Sequence, residues 1–373
     1  MDKIPFYSAS IEKGKALNTE HEAHIPQIET SRFDARHATR IKIIGAILTI
    51  GGVALFSYFV YSVGVSEILN FIDKFGVAGF AVILGVHLLR IGLRAGAWTL
   101  SVHEPYILRL REAVSAVIIG EALSSMIPLG ILVSGTAKAV AVRQRLPLVV
   151  GLSSVATENL FYSITTSIFL IFGAYTFARG FELERGWVIT IDILIGLIFL
   201  VILLIVAMIV RHWHFASEIC ERMYRRGWLT GILEHGRMQV RLFENFIYGF
   251  YRKYPRRFLP IFLLEATYHA LGVFETWFIL TMIAEAIPSV VSAFLLESVS
   301  RLITIVFKLV PFLVGVDEAG ARFVGETLAI GAGMGVSLAI IRKGRILFWT
   351  AVGLLLLIKR GLTFRDIAEV KGD

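Results

Sequence analysis

The sequence predicts an all-α integral membrane protein with about six full spans plus two proline-broken re-entrant helices arranged as an inverted repeat. Three observations lead there. More than half of the 373 residues are hydrophobic, 27 are Phe and only 18% are charged, the composition of a polytopic helical membrane protein. Apolar runs at 41–63, 76–102, 147–178, 187–210, 258–286 and 335–358 reach the roughly 20 residues needed to cross a hydrocarbon core. Two further apolar runs, 112–135 and 289–316, are interrupted by Pro128 and Pro311, with glycines soon after (Gly130, Gly315) and an acid in the preceding helical stretch (Glu121, Glu297). Proline removes a backbone donor, and irregular backbone at membrane depth survives only inside protein or beside a water-filled cavity. Both runs therefore read as re-entrant or discontinuous helices.

In chain order, residues 1–40 are a polar cytoplasmic segment without the apolar core and cleavage site of a signal peptide, so the first span is expected to serve as its own insertion signal. Residues 41–210 form a first membrane half containing the element 112–135, and 258–360 a second half with its broken element at 289–330. Between them, 211–257 carries ten Lys/Arg against four Glu. There Leu229, Ile232, Leu233, Val240, Phe243, Ile247 and Phe250 recur at helical spacing, with Arg237, Gln239, Arg241, Glu244 and Asn245 on the other side. The segment reads as basic amphipathic helices on the membrane surface, either attracting anionic lipid or serving only as a topological anchor. Lys and Arg are enriched on cytoplasmic flanks. Arg32, Arg36, Arg40, Lys42, Arg109, Arg111, Lys138, Arg143, Arg145, Lys359, Arg360, Arg365 and Lys371 mark one side and only Lys74, Arg179 and Arg185 the other. Both termini, including the tail 361–373, are then cytoplasmic.

The run 335–358 carries Arg342, Lys343 and Arg345 near its middle, where a charge costs at least ~2.5–3.5 kcal/mol on insertion scales. Either the three line a hydrated, anion-lined cavity, or the run is two short helices joined by a basic turn. Order and reversed direction relate the two halves: a span, a broken element and a second span in each. The strings GEALSSMIP (120–128) and LESVSRLIT (296–304) agree weakly, as do GLSSVATENLFYSI (151–164) and GVSLAIIRKGRILFWTA (335–351). The second pairing places Glu158 near Arg342–Arg345. Inverted repeats whose broken helices meet at the midplane are the architecture of secondary transporters; chance likeness between apolar strings is the alternative.

Many charges fall inside apolar runs: Arg90, Arg94, Glu121, Glu158, Glu265, His269, Glu275, Glu297, Arg301, Lys308, Glu318, Glu326 and the 342–345 cluster. Ion pairs that merely hold the bundle together compete with function for each, and snorkelling to the interface accounts for Arg94 better than for Arg90. His269, one turn from Glu265, reads either as a proton relay or as a neutral histidine bonded to a neighbouring helix. No second histidine stands at ligand spacing, so no metal is expected. Cys220, the single cysteine, excludes disulfides and CxxC chemistry. No extramembrane segment is large enough for a catalytic domain, and the P-loop, HExxH, GxSxG and dinucleotide fingerprints are missing, so no cofactor is implied. Nucleic-acid binding is disfavoured because the basic residues follow spans.

Several motifs resemble the membrane region of the lysylphosphatidylglycerol synthase/flippase family: RAGAW (94–98), GEALSSMIPLG (120–130), AVRQRLP (141–147) with ATENLFYS (156–163), VPFLVGVDEAGARFVGETLAIG (310–331) and GVSLAIIRKGR (335–345). The chain departs from the family at SGTAKA (134–139), where Lys138 stands instead of the usual acid and arginine, and at Asn159, where arginine is usual. The aminoacyl-transferase domain of the full synthases is not among these residues, which resemble a stand-alone flippase-like member. The resemblance implies a lipid substrate, and the inverted broken helices and buried charges imply transport; together they lead to the expectation of a bacterial inner-membrane transporter, not an enzyme, that moves an anionic or amphiphilic lipid between leaflets. The expected substrate-binding set is Arg90, Arg94, Glu121, Lys138, Glu158, Glu297, Arg301, Glu318, Arg342, Lys343 and Arg345, with Glu265 and His269 for proton coupling. Cations would neutralise a lipid phosphate, helped by backbone donors at the ends of the broken helices. Expected partners are membrane lipid and bilayer, with a homo-oligomer or a lipid-synthesis enzyme open. The rival functions are a lipid-modifying membrane enzyme, or the membrane partner of one, and a non-transporting scaffold.

Overall fold

A bilayer core offers no water to backbone N–H and C=O groups, so apolar segments pair them internally as helices. The computed structural model is accordingly all-helical, with no strand among the described residues: 54, 57–58, 60–62, 64–126, 130–181, 184–211, 215–226, 240–241, 244–245, 248–284, 287–307 and 310–361. The segment 1–40, nearly all of the expected span 41–63, Pro128, Lys308, most of the amphipathic pattern at 229–247 and all but the first residue of the tail 361–373 lie outside them.

The helices are α1 (Val65–Leu100), α2 (Leu110–Met126), α3 (Gly130–Ala141), α4 (Leu148–Gly180), α5 (Arg185–Val210), α6 (Phe215–Arg225), α7 (Phe258–Ile283), α8 (Val290–Val306), α9 (Val316–Thr327) and α10 (Ala332–Lys359). Among the described residues four of these segments are long and apolar enough to cross a membrane, at Val65–Leu100, Leu148–Gly180, Val188–Ala207 and Pro255–Ile283. The expected span start at Gly76 is a kink inside α1, with φ 61 and ψ 178, a conformation open to glycine and strained for other residues. Beyond the kink α1 runs unbroken to Leu100. Its end is capped by Arg257, whose Nη1 donates to the carbonyls of Leu100 (3.3 Å) and Val102 (3.0 Å).

Two helical pairs replace the two interrupted runs. α2 and α3 have 17 and 12 residues, and so do α8 and α9. At 1.5 Å per residue these are about 26 and 18 Å long, each short of a ~30 Å hydrocarbon core. In the second pair the break is visible. A 3₁₀ turn at Pro311–Leu313 separates the helices, and α8 begins where the Ser289 hydroxyl accepts the Ser292 N–H at 3.0 Å.

At the centre α1 packs along α7. α2 packs on α1, α3 and α10; α8 packs on α7, α9 and α4. α3 lies on α4 and α9 on α10, while α1 and α7 each touch both α4 and α10. Exchanging α1 with α7, α2 with α8, α3 with α9 and α4 with α10 leaves every one of these pairings in place. α5 packs on α4 and turns Ile189, Ile193, Leu197, Leu200 and Leu204 outward, the surface of a helix facing lipid.

The tail of the 211–257 segment differs from a surface helix. Phe250 is fully buried, packed with Phe161, Tyr254, Ala97 and Ile261. Aromatic area is better removed from water against the ends of α1, α4 and α7 than left at an interface. Glycines set the closest approaches between hairpins and long helices. A Cβ on Gly353 of α10 would stand 2.5 Å from Ala122 Cβ and 2.8 Å from the Ile118 carbonyl oxygen of α2; one on Gly173 of α4 would meet Ser298 Oγ and Cβ of α8 at 2.5 and 2.6 Å. Gly353→Ala meets a Cβ and backbone that cannot rotate away, so it is expected to lower stability by ~1–3 kcal/mol of overpacking. Gly173→Ala meets Ser298 Cβ at 2.6 Å, equally fixed to its backbone, and should cost a similar amount; thermal unfolding of both variants in mild detergent measures the two losses.

Candidate functional site

Charge is least tolerable in the middle of the bundle, and that is where it collects. Glu275 of α7 and Glu297 of α8 are fully buried and act as two hubs for four arginines. Glu275 accepts from Arg90 of α1 at 3.0 Å and pairs with Arg345 of α10. Glu297 pairs with Arg342 of α10, with Arg301 one turn on along α8 at 2.9 Å, and with Arg90 at 3.7 Å. Unpaired charge in such a site costs several kcal/mol per ion, so the carboxylates and guanidiniums stabilise one another's burial. Tyr268 supplies a shared aromatic face: the Arg90, Arg301 and Arg94 guanidiniums lie 4.4, 5.3 and 5.9 Å from its ring centre.

The arginines edge a cavity of about 230 Å³, bounded by α1, α2, α7, α8, α9 and α10 together with the turn at 310–313. His87, Glu121, Ser124, Ser125, Ser300, Thr304, Asp317, Trp349 and Thr350 complete its polar wall. His87 Nε2 stands 3.5 Å from Glu121, Ser300 donates to Asp317 at 3.0 Å, and the Ser125 and Thr350 hydroxyls are 3.0 Å apart. Four guanidinium nitrogens, Arg90 Nε and Nη2, Arg342 Nε and Arg345 Nε, are buried without a hydrogen-bond partner among the described residues. Buried donors left in this state call for an acceptor, an ion or water.

Five members of the expected set thus line one cavity or its arginine wall: Arg90, Glu121, Arg301, Arg342 and Arg345. Glu297 stands behind them. The other members gather elsewhere. Arg94 of α1 gives Nη2 and Nε to Glu158 Oε1 of α4 at 2.7 and 3.0 Å, and Lys138 Nζ of α3 stands 3.6 Å from Glu158 Oε2. Glu158, which the string pairing aligns with the Arg342–Arg345 stretch, has Arg94 and Lys138 as its partners, whereas Arg342 and Arg345 are held by Glu297 and Glu275. The 335–358 run is one helix within α10, which excludes the basic turn.

Lys343 leaves the cavity and reaches the turn, 2.5 Å from Glu318 Oε1 and 3.3 Å from the Leu313 carbonyl. Glu318 Oε2 accepts the Gly315 N–H at 2.8 Å. That end of the broken element gives this donor to its own acid rather than to a ligand, contrary to expectation. His269 is stacked between Phe169 and Tyr162, with Nε2 3.0 Å from the Thr166 hydroxyl of α4. The bond ties His269 to a neighbouring helix.

Glu275 reads as a buried charge but lies outside the expected binding set; its place inside the apolar run 258–286 is the available signal. Tyr268, His87 and Asp317 carried none, since a tyrosine, a histidine or a helix-start acid in such a chain is usually structural.

A family model described as the lysylphosphatidylglycerol synthase TM region matches residues 42–353. Neither a curated protein nor a solved structure matches the chain.

Removing Glu275 takes from Arg345 its acid and leaves Arg90 with Glu297 at 3.7 Å, while removing Arg345 leaves Glu275 its bond to Arg90. Glu275→Gln should therefore destabilise more than Arg345→Ala, by up to ~3–5 kcal/mol for a broken buried pair. Thermal unfolding of each single variant and of the double variant reads this, the double costing less than the sum.

Proposed function

The chain belongs to the lysylphosphatidylglycerol synthase transmembrane-region family, and from that premise we propose a flippase-like transporter, not an enzyme, that moves an anionic or amphiphilic lipid between leaflets of the bacterial cytoplasmic membrane. The observation that carries this reading is the arginine-walled cavity with its unpartnered guanidinium nitrogens. A planar fork with free N–H groups matches the oxygens of a phosphate, and each such charge-assisted bond is worth ~1.5–3 kcal/mol.

The volume also fits. At about 230 Å³ the cavity is smaller than the ~300–1,000 Å³ pockets that enclose drug-sized ligands. A headgroup would enter it while the acyl chains stay in the bilayer. The matched hairpin lengths and the exchange of packing partners support an inverted repeat in which α2/α3 and α8/α9 are re-entrant pairs meeting at the cavity. Alternating access would then follow from rocking one half against the other around the arginines.

In liposomes the purified protein should change the leaflet distribution of a fluorescent anionic phospholipid without changing its mass. Arg301 touches both Glu297 and the cavity, and its side chain is partly exposed there. Arg301→Gln is expected to slow movement of the anionic lipid about tenfold or more, equivalent to ~1.4 kcal/mol, and to affect a zwitterionic analogue less. A chemically altered lipid in the product would favour the enzyme reading.

For orientation, the proposal places both termini and the 211–257 segment in the cytoplasm. Cys220 lies in α6 with the i,i+4 pairs Glu218–Arg222 and Glu221–Arg225 around it. A membrane-impermeant thiol reagent should leave Cys220 unlabelled in intact cells and label it after permeabilisation; labelling from outside would invert the topology.

A further inference from the structure

Glu265 takes no part in the cavity. It lies on α7, fully buried, and neither carboxyl oxygen has a hydrogen-bond donor among the described residues. Across the α4–α7 packing it faces another acid, Glu158: Phe161, one turn on from Glu158, packs with Ile261, one turn before Glu265, and Glu158 Oε2 also lacks a hydrogen-bond partner among the described residues. Two charged carboxylates facing each other inside a helical bundle repel, which adds to the cost of desolvation. One proton shared between them relieves both terms and supplies the missing hydrogen bond.

The surrounding charges leave room for that proton. Arg94 from α1 is committed to Glu158, and Lys138 from α3 faces the pair from the other carboxylate oxygen. On the other elements packed against α7 the cations are held by other acids: Arg90 by Glu275, Arg301 and Arg342 by Glu297, Arg345 by Glu275, and Arg257 by Glu104. His269, one turn along α7, is bonded to Thr166 instead. Glu265 has no cation of its own.

The acid pair is mechanically close to the cavity. Arg94 and Arg90 are one turn apart on α1, and both guanidiniums lie against the Tyr268 ring, at 5.9 and 4.4 Å. With the shared proton, the group of Arg94, Lys138, Glu158 and Glu265 carries one net positive charge; without it, none. An anion bound beside Arg90 favours the positive state, and by linkage the protonated pair favours the bound anion to the same extent.

We propose that Glu158 and Glu265 form a binding site for one exchangeable proton, taken up as an anionic lipid headgroup enters the neighbouring cavity and released as it leaves, so that lipid and proton move together. The proton comes from water on one side of the membrane and returns to water on the other, and no further reactant is needed. This rests on the transport reading above.

Two measurements on the full-length protein test it. In purified wild type at neutral pH, infrared spectroscopy should find a protonated-carboxyl C=O band that Glu265→Gln removes; a wild type without that band overturns the shared proton. In liposomes of phosphatidylethanolamine and phosphatidylglycerol with a fluorescent phosphatidylglycerol, an imposed pH gradient should accelerate redistribution. In Glu265→Gln the ratio of rates with and without the gradient should fall to one. The glutamine amide can donate to Glu158, so the variant is expected to fold, and the wild-type measurements stand without it. A wild-type rate that ignores the gradient overturns the coupling and leaves transport in place. No lipid movement under any condition overturns the transport reading and the coupling with it.

Discussion

Everything in the middle of this bundle depends on keeping four guanidiniums and two carboxylates together where water cannot screen them. Glu275 and Glu297 each neutralise more than one arginine, so the cluster is held by shared ions rather than by independent pairs. Sharing has a geometric demand: cations from α1, α8 and α10 must converge on acids from α7 and α8. Gly272 of α7 meets that demand locally, since a Cβ there would stand 2.5 Å from Glu297 Oε1 and 3.1 Å from Arg90 Nη2. The missing side chain is the space the ions occupy. Charge shared this way leaves guanidinium nitrogens of Arg90, Arg342 and Arg345 buried without a hydrogen-bond partner among the described residues.

The turn at the cavity's edge shows how the same chemistry supports the backbone. Phe312 and Leu313 adopt φ of 52 and 53, a region unfavourable for residues with a Cβ and worth ~1–3 kcal/mol of strain each. Lys343 reaches the Leu313 carbonyl and Glu318, while Glu318 also takes the Gly315 N–H. The helix that carries Arg342 and Arg345 into the cavity therefore clamps the strained turn that forms its wall. Within four residues of α10 one cation supports the backbone and two face the site.

A second set of charges, Arg94 with Glu158, Lys138 and Glu265, sits beside the first without merging with it. The link is α1, which presents Arg90 to one set and Arg94 to the other, and Tyr268, which lies under both. Helix α1 also packs along α7 at the exchange centre of the fold. Any shift of α1 against α7 must disturb both sets at once.

The sequence by itself determined that the chain is a helical membrane protein, that two of its elements are broken, and that charges at positions such as Arg90, Glu297 and Arg345 need partners. These follow from one-dimensional quantities: run length against bilayer thickness, proline in an apolar stretch, and the cost of charge in hydrocarbon. The family motifs were legible for the same reason, being contiguous. Which acid meets which base was decided only by the tertiary structure. Glu275 sits 185 residues from Arg90 and 70 from Arg345, and no local pattern encodes a contact between helices that only packing brings together. The same separation applies to Glu158, whose partners Arg94 and Lys138 lie on two other helices. Periodicity states that a charge faces inward, but it takes the packed helices to say toward what.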